Sequence, residues 1–178
     1  MLYLCGVTDK LYKMKTKKLI LLFAVFCIAA AACQKEELQI DKDKKVISSY
    51  LKEHNIEAQQ TEKLFYVETV VGTGQQCKLG DTVAIKYKYY SLKNPNQVLE
   101  DKTDIAETVF LPLTTNSNST CLLGFQIGLP TMKEGGKTTF YMPAAYAFGR
   151  DTLQNGEDHA NLIFDVELCE IITRDTRH

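Results

Sequence analysis

Few side chains in this sequence are arranged for bond-making chemistry. The histidines His54, His159 and His178 are scattered, so none has the spacing that brings imidazoles to one metal; each reads as a solvated surface residue. The adjacent carboxylates Glu100-Asp101 and Glu157-Asp158 read as solvent-facing loop charges rather than an acid and a base flanking a substrate. No Gly-x-Ser-x-Gly elbow, phosphate-cradling glycine loop or His-Glu-x-x-His pair occurs. Hydrolase, nucleotide and metalloprotease readings therefore have no residues to stand on, and neither a cofactor nor a metal is expected. Lys+Arg number 21 against Asp+Glu 22, a balance unsuited to coating phosphates, which sets nucleic acid aside. What remains is a site without a nucleophile.

The cysteines need separate treatment. Lys15, Lys17 and Lys18 precede an uncharged run from Leu19 to Ala32, LILLFAVFCIAAAA, and Cys33 follows it. A basic stretch followed by an apolar one is the pattern of a signal peptide, and the run is shorter than the roughly 20 apolar residues that span a bilayer. Ala30-Ala31-Ala32-Cys33 looks like a bacterial lipobox, with Ala30 where Leu is usual. Residues 1–32 are accordingly expected to be a lipoprotein-type signal, with Met14 an alternative start to Met1, and Cys33 the lipidated first residue, anchored by more than one acyl chain. Gln34-Lys35-Glu36-Glu37 resembles the acidic export signal of some Bacteroidetes lipoproteins. The expected location is the outer membrane, on its periplasmic or its surface-exposed face. Cys77, Cys121 and Cys169 would then remain as thiols of the mature chain. Their spacing fits no zinc motif. An oxidising compartment permits one disulfide among three possible pairings, which the sequence leaves open; the plainest reading is small apolar fillers at strand ends.

At 45% hydrophobic and 24% charged residues, the chain suits a single compact core. Residues 1–32 hold five lysines (Lys10, Lys13, Lys15, Lys17, Lys18) and one acid, Asp9, so the body that remains is acidic. Residues 33–63 read as a tether with one amphipathic helix, in which Val46, Ile47, Tyr50 and Leu51 recur at helical spacing and Asn55 offers a stop. From Phe65 the period shortens to two. Strands are expected over Phe65 to Val71 and over Thr82 to Ser91, where Val83, Ile85, Tyr87 and Tyr89 alternate with Ala84, Lys86, Lys88 and Tyr90 and one face is buried. Further strands are expected at Val98 to Glu100, Val109 to Leu113, Lys137 to Met142 and Leu162 to Ile172, with a short helix over Gly124 to Leu129 stopped by Pro130. Five or six strands against one short helix give an α+β domain over 64–172, in which a mainly antiparallel sheet covers the helix. Residues 173–178 are a tail.

Gly124-Phe125-Gln126-Ile127-Gly128-Leu129, Met132-Lys133-Glu134-Gly135-Gly136-Lys137, Pro143, Tyr146-Ala147-Phe148-Gly149 and Asn161-Leu162-Ile163-Phe164-Asp165-Val166-Glu167-Leu168 occur in that order. Together they resemble the FKBP-type peptidyl-prolyl isomerases, from about Leu64 to Ile172. The resemblance implies a curved antiparallel sheet wrapped around the short helix, with an apolar pocket between them. Carried over position by position, the pocket walls are Tyr87, Leu99, Val109, Leu122, Phe125, Phe148 and Phe164, with Glu100 as the polar residue at the rim. The family commonly has Phe where Leu99 and Val109 stand, Asp at Glu100, Trp or Leu at Phe125 and Tyr at Phe148. Proline-rich sequence is usual where this chain has Glu157-Asp158-His159. Two functions follow from the resemblance: an isomerase acting on proline-containing unfolded or extended polypeptides during export, or a catalytically weak module of the same fold that holds such polypeptides.

Overall fold

The computed structural model describes residues 37–104, 108–114 and 121–172. The chain divides into two compact units, Met1–Asp41 and Lys42–His178, the first described only at 37–41, the opening of the helix α1. Helix α1 runs over 37–53. Asp43, Ile47 and Leu51 recur every fourth residue and are buried, which gives α1 one inward stripe. Its end is set by Asn55, at φ 53°, whose backbone N–H donates to Lys52 O (3.2 Å) while that of Ile56 donates to Leu51 O (2.8 Å). This is a Schellman closure built on asparagine, the residue besides glycine that most readily accepts left-handed angles.

The strands are β1 (Gln59–Gln60), β2 (Phe65–Val70), β3 (Thr82–Ser91), β4 (Asn94–Lys102), β5 (Val109–Pro112), β6 (Lys137–Met142) and β7 (Leu162–Ile172), with α2 (Leu123–Gly128) between β5 and β6. All pairings are antiparallel, in the order β1-β2-β6-β7-β3-β4, and β5 also pairs with β3. One edge of β3 is therefore shared. β5 takes Thr82 to Ile85 and β4 takes Tyr87 to Ser91, so residues from two strands converge beside Tyr87.

The sheet is covered on both faces. On the inner face, Val83, Ile85 and Tyr89 of β3, Phe140 and Met142 of β6, and Leu162, Phe164, Val166 and Leu168 of β7 form the main core with Phe125 and Leu129. On the outer face, Phe65, Tyr141, Ile163 and Leu92 pack with Ile47 and Leu51 of α1. Burial on β3 is not confined to the inner face: Ala84, paired with Glu170 and Phe110 on the outer face, is 2% exposed, and Ser91, paired with Leu162 on the inner face, is 1% exposed. The sheet also reaches back to Gln59, within the stretch read as tether. Strand β4 is longer than expected, reaching back to Asn94, and the sheet has seven strands rather than five or six.

Helix α2 lies close against the sheet because two of its residues lack side chains. A Cβ on Gly128 would stand 2.7 Å from the Phe140 ring, and one on Gly124 would meet the Met142 sulfur more closely still. Phe140 and Met142 are fully buried and have nowhere to retreat, so overpacking outweighs the gain in helix propensity, about 1 kcal/mol, that alanine brings. Cys77 and Cys121 fill the same core, and Cys169 is half-buried. Burial pushes the Cys77 and Cys121 thiols up to about 11, the Asp81 charge adding to the effect at Cys77. Among the described residues no helix is long and apolar enough to cross a membrane.

Two outcomes follow. Gly128→Ala lowers the urea midpoint, with an unchanged slope, by the equivalent of about 1–3 kcal/mol. Burial and the raised pKa keep Cys77 and Cys121 protonated and shielded at pH 8, so iodoacetamide leaves both unmodified in the folded chain and labels them in denaturant, read by peptide mass mapping.

Candidate functional site

One cavity of about 160 Å³ opens between the inner face of the sheet and the start of α2, lined by Tyr87, Glu100, Val109, Leu111, Leu122, Phe125, Phe148 and Phe164. Each wall comes from an element whose local sequence aims it there. Tyr87 and Phe164 project inward because strand side chains alternate between faces, and the β3–β7 register sets Tyr87 opposite Val166 and Tyr89 opposite Phe164. Val109 and Leu111 share a face of β5, while Phe110 between them is 60% exposed. Leu122 precedes α2 in an extended conformation (φ −55°, ψ 140°) with no side-chain cap. Its carbonyl accepts the N–H groups of Phe125 (3.0 Å) and Gln126 (3.2 Å), which fixes Leu122 beside Phe125.

Phe148 stands on a loop rather than a strand. A 3-10 turn at Ala144–Tyr146 precedes it, and Gly149 follows at φ 64°, a left-handed angle that glycine adopts without strain. The Gly149 N–H donates to Ala144 O (2.8 Å), and the Ala144 N–H donates to the Asn161 side chain (3.0 Å), tying the turn to the start of β7.

The aromatic walls form one connected group around Phe164. Its ring centroid lies 5.0 Å from Phe125 in an edge-on arrangement, 6.1 Å from Tyr87 and 6.5 Å from Phe148. Phe125 also lies 5.9 Å from Tyr87. Such pairs contribute about 0.5–1.5 kcal/mol each beyond area burial, so Phe164, at 1% exposure, is both wall and core. The polar chemistry is one pair: the Tyr87 hydroxyl donates to Glu100 Oε2 at 3.1 Å. Burial, reinforced by the Glu100 charge, pushes the Tyr87 phenol well above its ordinary range. Tyr87 therefore stays a neutral donor throughout the working pH range.

Seven of the eight expected site residues thus surround one cavity. Leu99 does not line it. Across β3–β4, Tyr89 pairs with Glu100 but Tyr90 pairs with Val98, so Leu99 is the extra residue of a bulge; it packs on the core instead. Leu111, which was not among the expected walls, lines the cavity. It was missed although the signal was present, since two-residue alternation that aims Val109 inward aims Leu111 the same way. Cys33 lies outside the described residues.

The other candidate groups stand apart from the cavity. Glu157 is not a free loop charge: Ser91 donates to it and Lys93 Nζ lies 3.1 Å away. Burial works to raise its pKa, but Ser91 and Lys93 outweigh it and hold the carboxyl below its ordinary value. Asp158 accepts from the Thr152 hydroxyl. His159 is paired too, its Nε2 lying 3.0 Å from Asp43 Oδ2 of α1. Among the described residues no three His, Cys, Asp or Glu side chains are grouped to hold a metal.

Comparison with known proteins bears on the same segment. The sequence model described as FKBP-type peptidyl-prolyl cis-trans isomerase matches residues 73–169, a span that includes every residue lining the cavity. FK506-binding protein 3 of Eremothecium gossypii is 32% identical over 104 residues, 58% of this chain but 24% of that protein. The isomerase FkpA of Escherichia coli K12 is 28% identical over 131 residues, 73% of this chain and 45% of its own length. The chain thus spans 24% to 45% of the length of these curated relatives. Among solved structures, FkpA from Escherichia coli superposes with a TM-score of 0.60 at 21% identity, covering 95% of this chain and 80% of that one. The N-terminal domain of FKBP42 from Arabidopsis thaliana does so with a TM-score of 0.56 at 21% identity, covering 66% and 93%. The structural likeness is one of fold, while the sequence match runs over more than half of the chain and through the strands and helix that build the cavity: the protein belongs to the FKBP-type peptidyl-prolyl cis-trans isomerase family.

Proposed function

We propose that this protein accelerates cis-trans rotation of X-Pro bonds in unfolded or extended polypeptides, with the cavity around Phe164 receiving the proline ring. The observation that carries this reading is the aromatic-walled cavity lacking a nucleophile. Rotation about an amide needs no bond to break; it is opposed by resonance, with a barrier of roughly 18–20 kcal/mol, and takes tens of seconds uncatalysed. An apolar enclosure that seats the ring and removes water from the carbonyl favours the twisted, less delocalised amide over the planar one. Tyr87, Phe125, Phe148 and Phe164 supply the enclosure, and the Tyr87–Glu100 pair supplies a fixed dipole at its edge.

The same reading extends to where the protein works. The basic stretch, the apolar run and the small residues ahead of Cys33 support a lipoprotein signal, with the mature chain held by acylated Cys33 at the outer membrane and its clients among exported polypeptides.

The activity is tested with a proline tetrapeptide in a protease-coupled assay, where the unmodified protein shows measurable acceleration. Tyr87→Phe keeps the ring but removes the donor to Glu100. It lowers kcat/KM by up to roughly tenfold, the scale of one hydrogen bond of about 0.5–1.5 kcal/mol, without moving the melting temperature by more than a few degrees. Phe148→Tyr, which adds a hydroxyl at the mouth, raises activity by up to a similar factor. No catalysis in the unmodified protein, and none created by Phe148→Tyr, leaves a polypeptide-holding module in place of the isomerase. Anchoring is tested separately: Cys33→Ala releases the chain from membranes and abolishes labelling by a fatty-acid probe, and persistent labelling counts against Cys33 as the acylated residue.

A further inference from the structure

The size of the cavity limits what it can take. At about 160 Å³ it is close to the roughly 150 Å³ apolar cavity that accommodates one benzene ring. It is well below the roughly 300–1,000 Å³ of pockets for drug-sized ligands. That volume matches a single five- or six-membered ring. Tyr89 does not line the cavity, but it packs behind two of its walls.

Tyr89 follows Tyr87 on the inner face of β3 and is 6% exposed. Its ring centroid lies 5.0 Å from Phe164 and 5.5 Å from Phe148, nearer to Phe148 than Phe164 is. Phe164 is held from several sides, by Phe125 and Tyr87 as well as by Tyr89. Phe148 stands on a loop, and its aromatic support among the described residues is Tyr89 and Phe164. A smaller side chain at position 89 would open a void directly behind Phe148, and that ring would be free to recede into it. Interiors are packed densely enough that such a void changes where neighbouring side chains come to rest.

We propose that Tyr89 is a specificity-determining residue that restricts the pocket to a single-ring imino acid, by backing Phe148 and Phe164 so that neither wall can yield to a larger ring. It is a positioning residue, acting through Phe148. The inference rests on the proline-pocket reading above and adds an upper bound on the substrate: proline is accepted, and a bicyclic proline is rejected. A hydrophobic pocket distinguishes one methylene by about 10–200-fold, so rejection of a fused ring by at least roughly tenfold is expected.

The experiment uses the full chain purified in detergent and two tetrapeptides that differ only in carrying proline or octahydroindole-2-carboxylate, a proline bearing a fused six-membered ring. Isomerisation is read by exchange NMR of the peptide and affinity by titration. The unmodified protein and Tyr89→Phe prefer the proline peptide by about tenfold or more. Tyr89→Leu and Tyr89→Ala bring the two peptides to within about threefold by gaining on the bicyclic one, a gain that loss of core support alone does not produce. Tyr89→Leu carries the test if Tyr89→Ala does not fold. Equal loss on both peptides in a folded Tyr89→Leu, or no preference in the unmodified protein, overturns the proposal. If the unmodified protein binds the proline peptide preferentially but turns neither over, and Tyr89→Leu abolishes that preference, the size limit stands and the isomerase reading falls.

Discussion

Tyr87 sits opposite Val166 and Tyr89 opposite Phe164 on the ladder that joins β3 to β7, from Thr82–Ile172 to Ser91–Leu162. Every aromatic wall carried by the sheet depends on that register. Strand side chains alternate with a period of two, so a one-residue slip of β3 would turn Tyr87 and Tyr89 to the outer face and bring Lys86 and Lys88 into the core, and the same slip of β7 would exchange Phe164 for Asp165. The register is held from both faces. Inside, Val83, Ile85, Val166 and Leu168 are buried at 3% exposure or less; outside, Tyr90 and Ile163 join the cluster under α1, while Lys88–Asp165 and Lys137–Glu167 pair across strands. The exposed pairs contribute little attraction in water. Their larger role is to make the wrong register costly, because buried charges without partners are strongly unfavourable.

The bulges in this sheet put the polar group where the chemistry needs it. In a regular β4, Leu99 and Glu100 would face opposite sides, and continuous pairing would carry alternate residues inward along the whole strand. Skipping Leu99 resets the alternation, leaving Glu100 at the cavity edge opposite Tyr89 and within reach of the Tyr87 hydroxyl. A carboxylate at the margin of an apolar cavity needs a donor, and the buried Tyr87 phenol needs an acceptor. Each satisfies the other, so the pocket holds a dipole without an orphaned group.

Legibility in the sequence followed the strength of the local pattern. Strands β3, β6 and β7 were readable to the residue, because sustained alternation of large apolar side chains has no competing helical reading. Strand β4 was not, since Asn94-Pro95-Asn96-Gln97 has the composition of a turn; it is extended because it closes a hairpin on β3, a tertiary cause that no window of sequence contains. The burial of Ala84 was hidden for the same reason, since the strands that flank it, β5 and β7, come from elsewhere in the chain. The seven pocket residues that meet in space were legible only through the resemblance to a family, for nothing in their spacing brings Glu100, Phe125 and Phe164 together. Leu99 failed because a bulge breaks the periodicity that positional transfer assumes.

The walls of the pocket also differ in what restrains them. Tyr87, Val109, Leu111 and Phe164 are fixed by backbone hydrogen bonds along strands, whereas Phe148 rides a loop held at separate points by polar contacts. Asn161 bonds the Ala144 N–H near one end; Glu157 takes Ser91 and Lys93 of the β3–β4 hairpin further along; His159, at φ 49°, reaches Asp43 on α1. A left-handed histidine persists only when its surroundings compensate for the strain, of order 1–3 kcal/mol. Here the compensation comes from a buried carboxylate on an element outside the family's matched span of residues 73–169. The helix that covers the outer face of the sheet therefore also restrains the loop carrying one pocket wall. A perturbation of α1 that leaves the strands intact therefore has a route toward Phe148 that does not pass through the sheet.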